Sequence, residues 1–285
     1  MRIQIVTSLI LSSLSQFSVA SPADDAVLQD HPVAFFTMGS TLRSLWEPDI
    51  SGSHHRAMRV PRGGLPHTTM PNGDRATVVN GTTQYLEVAS HPALSVPTTG
   101  VLTIEAWIRP DTLQFTQQEG SGYVYWAGKG EPNDHEYALR MYSRTNSESR
   151  PNRISGYAFN PAGNLGSGSY FQDVVTAGEW IHTTTVINTH ATSAQYPTGY
   201  VRIYKNGVLR DTTGLDQFGV VPVAGPAALR IGTRNMTSFF KGAIGKFAVY
   251  NYEVSATRLL AHVHAMRPRL VGPLDHFPPL FVAPE

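Results

Sequence analysis

"DHEYALRMYSR", residues 134–144, alternates strictly. Tyr137, Leu139, Met141 and Ser143 stand at odd positions; Asp134, Glu136, Ala138, Arg140, Tyr142 and Arg144 stand at even ones. Successive side chains of a strand point to opposite faces, so a period of two predicts a β-strand with one oily and one polar face. Similar short runs lie on either side, among them "RATVV", "YLEVA", "LTIEAWIRP", "YVYWAG", "RISGYAF", "EWIHTTTVI", "VRIYKNG", "ALRIGTR" and "AIGKFAVYNY". Turn residues separate nearly all of them, and Gly 25 with Pro 20 supply the breaks. Many short strands with Gly/Pro turns predict an all-β, antiparallel β-sandwich. Asn206-Gly207 suits the positive φ angles of a type I′ hairpin turn. One segment reads as helix: Ser255 can N-cap "ATRLLAHVHAM", with Leu259, Leu260 and Val263 as its apolar stripe.

The 285 residues are 41% hydrophobic and 15% charged, with a formal net charge of +1. A near-neutral chain lacks the basic footprint of a nucleic-acid binder. Residues 1–20 combine one basic residue, a short apolar core and a small-x-small ending at Ala20, the build of a secretory signal peptide. No later segment could span a bilayer. Export would take a chain with no cysteine into an oxidising compartment, so stability must come from the core. The expected organisation is signal peptide 1–20, N-terminal extension 21–30, one domain at 31–267 and a Pro-rich tail at 268–285. Asn80 and Asn235 head N-glycosylation triplets, which matter in a eukaryotic host.

The order of segments resembles the laminin-G-like, concanavalin A-like jelly-roll domains. "VAFFTM" with "SGSHH", "VVNGTTQYLEV", "GVLTIEAWIRPD", "GEWIHTTTVI", "VRIYKNGVLRDT" and "LRIGTR" followed by "SFFKGAIGKFAVYNYEVSATRLLAH" each resemble a family segment. Together they cover roughly residues 31–266. The resemblance implies a jelly roll with one short C-terminal helix, and a saccharide groove on its concave sheet. It also implies a structural Ca²⁺, for which Asp49, Glu87 and Glu253 are candidate oxygen ligands. The chain departs from the family at Ile244-Gly245-Lys246-Phe247, where relatives carry an acidic pair.

The strongest local cluster runs from Tyr123 to Asn160. "NRISGYAFN" repeats the neighbouring Arg/Tyr pattern with Arg153, Ser155, Tyr157 and Phe159 on one face. Paired as a hairpin, the two strands present Glu136, Arg140, Tyr142, Arg153 and Tyr157, with Trp126 and Lys129 of the preceding strand nearby, as a substrate-binding patch. Guanidinium groups match a carboxylate bidentately, and aromatic rings stack on sugars. Arg and Tyr are also ordinary partners for cross-strand pairs on an exposed sheet.

Three functions compete: an extracellular carbohydrate-binding protein, a polysaccharide lyase acting on uronic acids, and a protein adhesion module. The lyase would need Arg140 or Arg153 to neutralise the carboxylate, His182 as base and Tyr157 or Tyr142 as acid. His182 stands where relatives carry a structural histidine. "EPNDHE" has the wrong spacing for a retaining hydrolase pair, because Pro132-Asn133 makes a turn that removes Glu131 from the strand's face. Among eleven histidines the only close pairs, His54-His55 and His262-x-His264, form no zinc motif.

Overall fold

The computed structural model describes residues 20–267. The predicted signal peptide, apart from Ala20, and the Pro-rich tail lie outside them. Two antiparallel sheets form the sandwich. The first runs in the order Val208–Gly214, Tyr200–Lys205, Ile181–Asn188, Val101–Pro110, Lys241–Tyr250, Arg75–Asn80 and His67–Thr69, with Ala34–Phe36 also paired to Lys241–Tyr250. The second runs Gly163–Phe171, Ile154–Asn160, Asp134–Tyr142, Tyr123–Glu131, Leu229–Ile231, Tyr85–Val88, Arg56–Val60 and Trp46–Pro48. Between the sheets the odd-numbered Tyr137, Leu139 and Met141 meet Ile104, Ile187, Ile203 and Phe247 in one fully buried core. Alternation thus put the oily face of residues 134–144 where a sandwich needs it.

The Asn206-Gly207 turn has φ of 51° and 77°, as a two-residue hairpin with positive angles requires. Helix α3 (Ala256–Ala265) begins at Ser255, whose hydroxyl accepts from the Arg258 N–H. Its inward face is carried by Leu259 and His262, while Leu260 of the expected stripe is exposed.

Besides the expected C-terminal helix, the described residues hold two more α-helices, which corrects the expectation of a single one. Helix α1 (Pro22–Leu28) occupies the predicted extension, and α2 (Val96–Thr99) is one turn ended by left-handed Gly100. A capping box starts α1: Ser21 Oγ accepts from the Asp24 N–H, and Asp24 accepts from the Ser21 N–H. Lys246, at the departure from the family pattern, is buried and donates to Asp24 and Asp74. Lys246 thus anchors α1 to the sheet.

Helices α1 and α3 cover the outer face of the first sheet. Beneath them the buried Glu105 carboxylate accepts from Tyr250 and contacts the rings of His182 and His262, and His262 also reaches Asp30 at 2.7 Å. Among the described residues, no α-helix covers the outer face of the second sheet along the strands from Tyr123 to Phe171.

Candidate functional site

The open face is built around Arg140. Ladder register places Tyr125, Arg140, Ser155 and Tyr170 side by side on four successive strands. The next row toward one end pairs Tyr123 with Tyr142; the row toward the other places Ala138, Tyr157 and Gly168 together. Small residues beside large ones leave room for rings to lie down over the sheet. A Cβ on Gly168 would overlap the Tyr157 ring, and one on Gly166 would come within 2.5 Å of the Phe159 ring. The alternating glycines of "GNLGSGSYF" therefore act as a bed for two aromatic faces. Their partners Ser167 and Ser169 point inward and donate to the Leu215 and Val201 carbonyls.

The result is a trough of about 650 Å³, floored by Arg140, Tyr157 and Phe159 and walled by Tyr123, Arg150, Arg153 and Tyr170. Leu165, 68% exposed, and Phe218 form its apolar rim. The Arg140 guanidinium carbon lies 4.2 Å from the Tyr123 ring centre, 4.6 Å from Tyr157, 5.1 Å from Phe159 and 5.4 Å from Tyr125. Arg153 stacks on Tyr170 at 3.6 Å, and its Nε donates to Gln172. Arg150 donates to the Tyr142 hydroxyl and pairs with Glu148. Burial, with the neighbouring Tyr142, pushes the Tyr157 phenol up to about 12, so it is a hydrogen-bond donor at neutral pH.

Of the seven predicted binding residues, the fold brings Arg140, Tyr142, Arg153 and Tyr157 together in this trough. It does not bring the other three. Trp126 packs between the sheets, at 6.5 Å from Phe247, and cannot serve as a stacking platform. Lys129 and Glu136 form a buried ion pair at 2.8 Å, with Glu136 also accepting from Val96 N–H and Ser95 Oγ. The cause is a pair of β-bulges. One at Trp126 shifts the pairing so that Tyr125 opposes Arg140 while Ala127 opposes Leu139. The other lies at Glu136, skipped between the Lys129↔Tyr137 and Gly130↔His135 pairs. Each extra residue reverses the facing of what lies beyond it. His135 takes the outer position instead, at 5.9 Å from the Phe159 ring and hydrogen-bonded to Arg234. Burial, then the charges of Arg234 and Arg140, lowers the His135 pKa and keeps the ring neutral at pH 7.

The lyase set is also not assembled. His182 lies on the first sheet beneath α3, bonded to Glu105 at 2.9 Å, and is separated from Arg140 and Tyr157 by the thickness of the sandwich. In "EPNDHE", Glu131 pairs with Arg230, Asp134 accepts from the Ala227 N–H and Glu136 is the buried partner of Lys129.

The three residues considered for calcium have their oxygens engaged. Asp49 accepts from the N–H groups of Phe35, Ser51 and His55. Glu87 pairs with Arg230, and Glu253 accepts from Asn188, Tyr200 and Arg202. None fits the ligand role the resemblance implied, and among the described residues no group of three or more His, Cys, Asp or Glu gathers to hold an ion.

Tyr123, Tyr125, Arg150, Phe159 and Tyr170 complete the site. The signal for Phe159 and Tyr170 was the same alternation that located Tyr157. Tyr123 and Tyr125 stand on the outer face just before the Trp126 bulge.

Comparison with known proteins agrees with this architecture. The family profile described as the concanavalin A-like lectin/glucanases superfamily matches residues 80–259. No curated protein matches the chain in sequence. Among solved structures, the chain is similar to the binding domain of botulinum neurotoxin DC in complex with SialylT, with a TM-score of 0.59 at 13% identity. That match covers 84% of this chain and 52% of the other, so the chain spans about half the length of the toxin domain. It is also similar to domain 4 of AbnA, a GH43 extracellular arabinanase from Geobacillus stearothermophilus, in complex with arabinotriose. There the TM-score is 0.52 at 14% identity, covering 81% of this chain and 98% of the other.

Proposed function

The chain belongs to the concanavalin A-like lectin/glucanase superfamily, and from that premise we propose that it is a secreted carbohydrate-binding protein whose site is the Arg140 trough. The observation that carries this reading is the aromatic lining: the half-buried Tyr157, laid flat over Gly168 and backed by the buried Phe159, and the exposed Tyr170 present ring faces to an open trough of oligosaccharide size. Such faces hold the apolar faces of sugar rings, and the surrounding guanidinium and phenol groups supply donors to their oxygens. The carbohydrate-bearing arabinanase domain and toxin domain among the structural neighbours support the class of ligand. Export follows from the signal-like residues 1–20, and the intact mass of protein recovered from an expression host's medium tests it, with a mature chain beginning at Ser21 expected. In a eukaryotic host, Asn80 is the better-presented glycosylation site, because it is exposed on its turn whereas Asn235 is half-buried.

Binding is favoured over lyase chemistry because, among the described residues, the one carboxylate lining the trough, Glu148, is tied to Arg150 and no histidine lines it. Arg153→Ala combined with Tyr170→Ala should cut retention on an immobilised glycan at least tenfold with an unchanged melting midpoint. Unchanged retention would remove the trough from the account. Recovery of a surface protein with no glycan bound would favour the adhesion reading instead.

A further inference from the structure

Arg140 differs from every other deeply placed cation of the second sheet. Arg59 is paired with Glu47, Lys129 with Glu136, and Arg230 with Glu87 and Glu131. Arg140 forms no ion pair among the described residues; its Nε is enclosed without a hydrogen-bond partner, and its only polar contact is the Tyr125 hydroxyl at 3.5 Å. A desolvated, unpaired charge is costly, and four surrounding rings recover only part of the lost hydration. The trough carries three guanidinium groups, from Arg140, Arg150 and Arg153, against the single Glu148 carboxylate already engaged by Arg150. An anionic counterpart is missing.

Resting on the carbohydrate reading above, we infer that the sugar bound in this trough is acidic, and that Arg140 pairs with its carboxylate. The geometry selects the anion's shape. Tyr123 and Tyr125 wall the guanidinium from one neighbouring strand, and Tyr157 and Phe159 wall it from the other. An acceptor must therefore enter along the guanidinium edge rather than over its face. A planar carboxylate does so with two parallel hydrogen bonds, whereas the out-of-plane oxygens of a sulfate ester would press on the flanking rings. Uronic and sialic acids share this group next to a ring that can stack on Tyr157.

The test pairs acidic probes with neutral copies of themselves. Titration calorimetry would use polygalacturonate, alginate, glucuronan and sialyllactose, each beside its carboxyl-reduced form, together with a sulfated neutral galactan. At least one acidic probe should bind, weaken roughly ten- to hundredfold on carboxyl reduction, and weaken further as salt is raised. Arg140→Lys, which keeps the charge and loses the fork, should reproduce most of that loss with an unchanged melting midpoint. Equal binding of a probe and its reduced form would overturn the inference and leave the carbohydrate reading standing. Preference for the sulfated galactan would overturn the carboxylate assignment. Binding to no probe in the panel, acidic, neutral or sulfated, would overturn both. The wild-type comparison decides even if substitution at Arg140 prevents folding.

Discussion

Lys129→Met should destabilise the protein by about 3–5 kcal/mol, the usual cost of stranding one member of a buried ion pair. Lys129 Nζ donates to Glu136 at 2.8 Å and to the Gly225 carbonyl at 2.7 Å, with both side chains essentially inaccessible to solvent. Burial already pushes the Glu136 carboxyl above its ordinary range, and Lys129, Val96 N–H and Ser95 only partly offset it. Removing the ammonium leaves the carboxylate with neutral donors alone and the Gly225 carbonyl with only the Ser90 hydroxyl. Glu136 then takes up a proton more readily, which limits the cost without abolishing it. Urea unfolding of the single variant and of Lys129→Met/Glu136→Leu separates the charge term from packing. The double variant should recover most of the loss; a single variant within about 1 kcal/mol of wild type would show the pair to be incidental. Glycan binding by the folded fraction should be unchanged, because this pair lies off the trough.

Glu105→Leu should have the second largest effect, about 3 kcal/mol or more, since the carboxylate serves three buried partners at once. Tyr250, His182 and His262 would all lose it, and His262 would keep only Asp30, itself shared with Arg258. The site also gives stability a pH signature. Burial alone would lower His262, but hydrogen bonds and charge from Glu105 and Asp30 raise its pKa above the ordinary histidine value near 6.5. Its folded form thus binds a proton that the unfolded chain releases. That contribution is complete below about pH 6.5 and disappears as pH rises through the folded value. Glu105 behaves oppositely: burial raises it, the two histidines lower it more, and its contribution persists above the unfolded carboxylate value near 4.3 and fades only in acid. Burial lowers the pKa values of His55, His67 and His135, which act in the opposite sense on the wild-type midpoint, so the His262 contribution is read as the difference between wild type and His262→Gln. That difference should be largest at mildly acidic pH and shrink toward alkaline pH; a difference that does not change with pH would contradict the assignment.

Most of the architecture was legible because period-two runs and turn residues record local geometry. The Asn206-Gly207 hairpin and the Ser255 cap needed no long-range knowledge. Helix α1 is legible too, as the Ser-x-x-Asp box at Ser21 and Asp24, within the segment expected to be an extension. Reading the site succeeded between Ala138 and Tyr157, where no bulge interrupts the face-to-face alternation. It failed at Trp126, Lys129 and Glu136, which lie at the two bulges or between them, where one inserted residue exchanges inside for outside. Gly128 and Gly130, flanking Lys129, were the local hint that the ladder is irregular there. His182 failed for another reason. Its partners Glu105 and His262 lie 77 and 80 residues away, and only the fold shows that they share a buried site under α3.

The trough is the central claim, and a crystal structure with a bound oligosaccharide tests it most directly. The account predicts a sugar ring against Tyr157 and Tyr170 with its oxygens within hydrogen-bond reach of Arg140 and Arg153. A sugar seated on the end loops or against the helix-covered sheet, with the Arg140 trough empty, would contradict it.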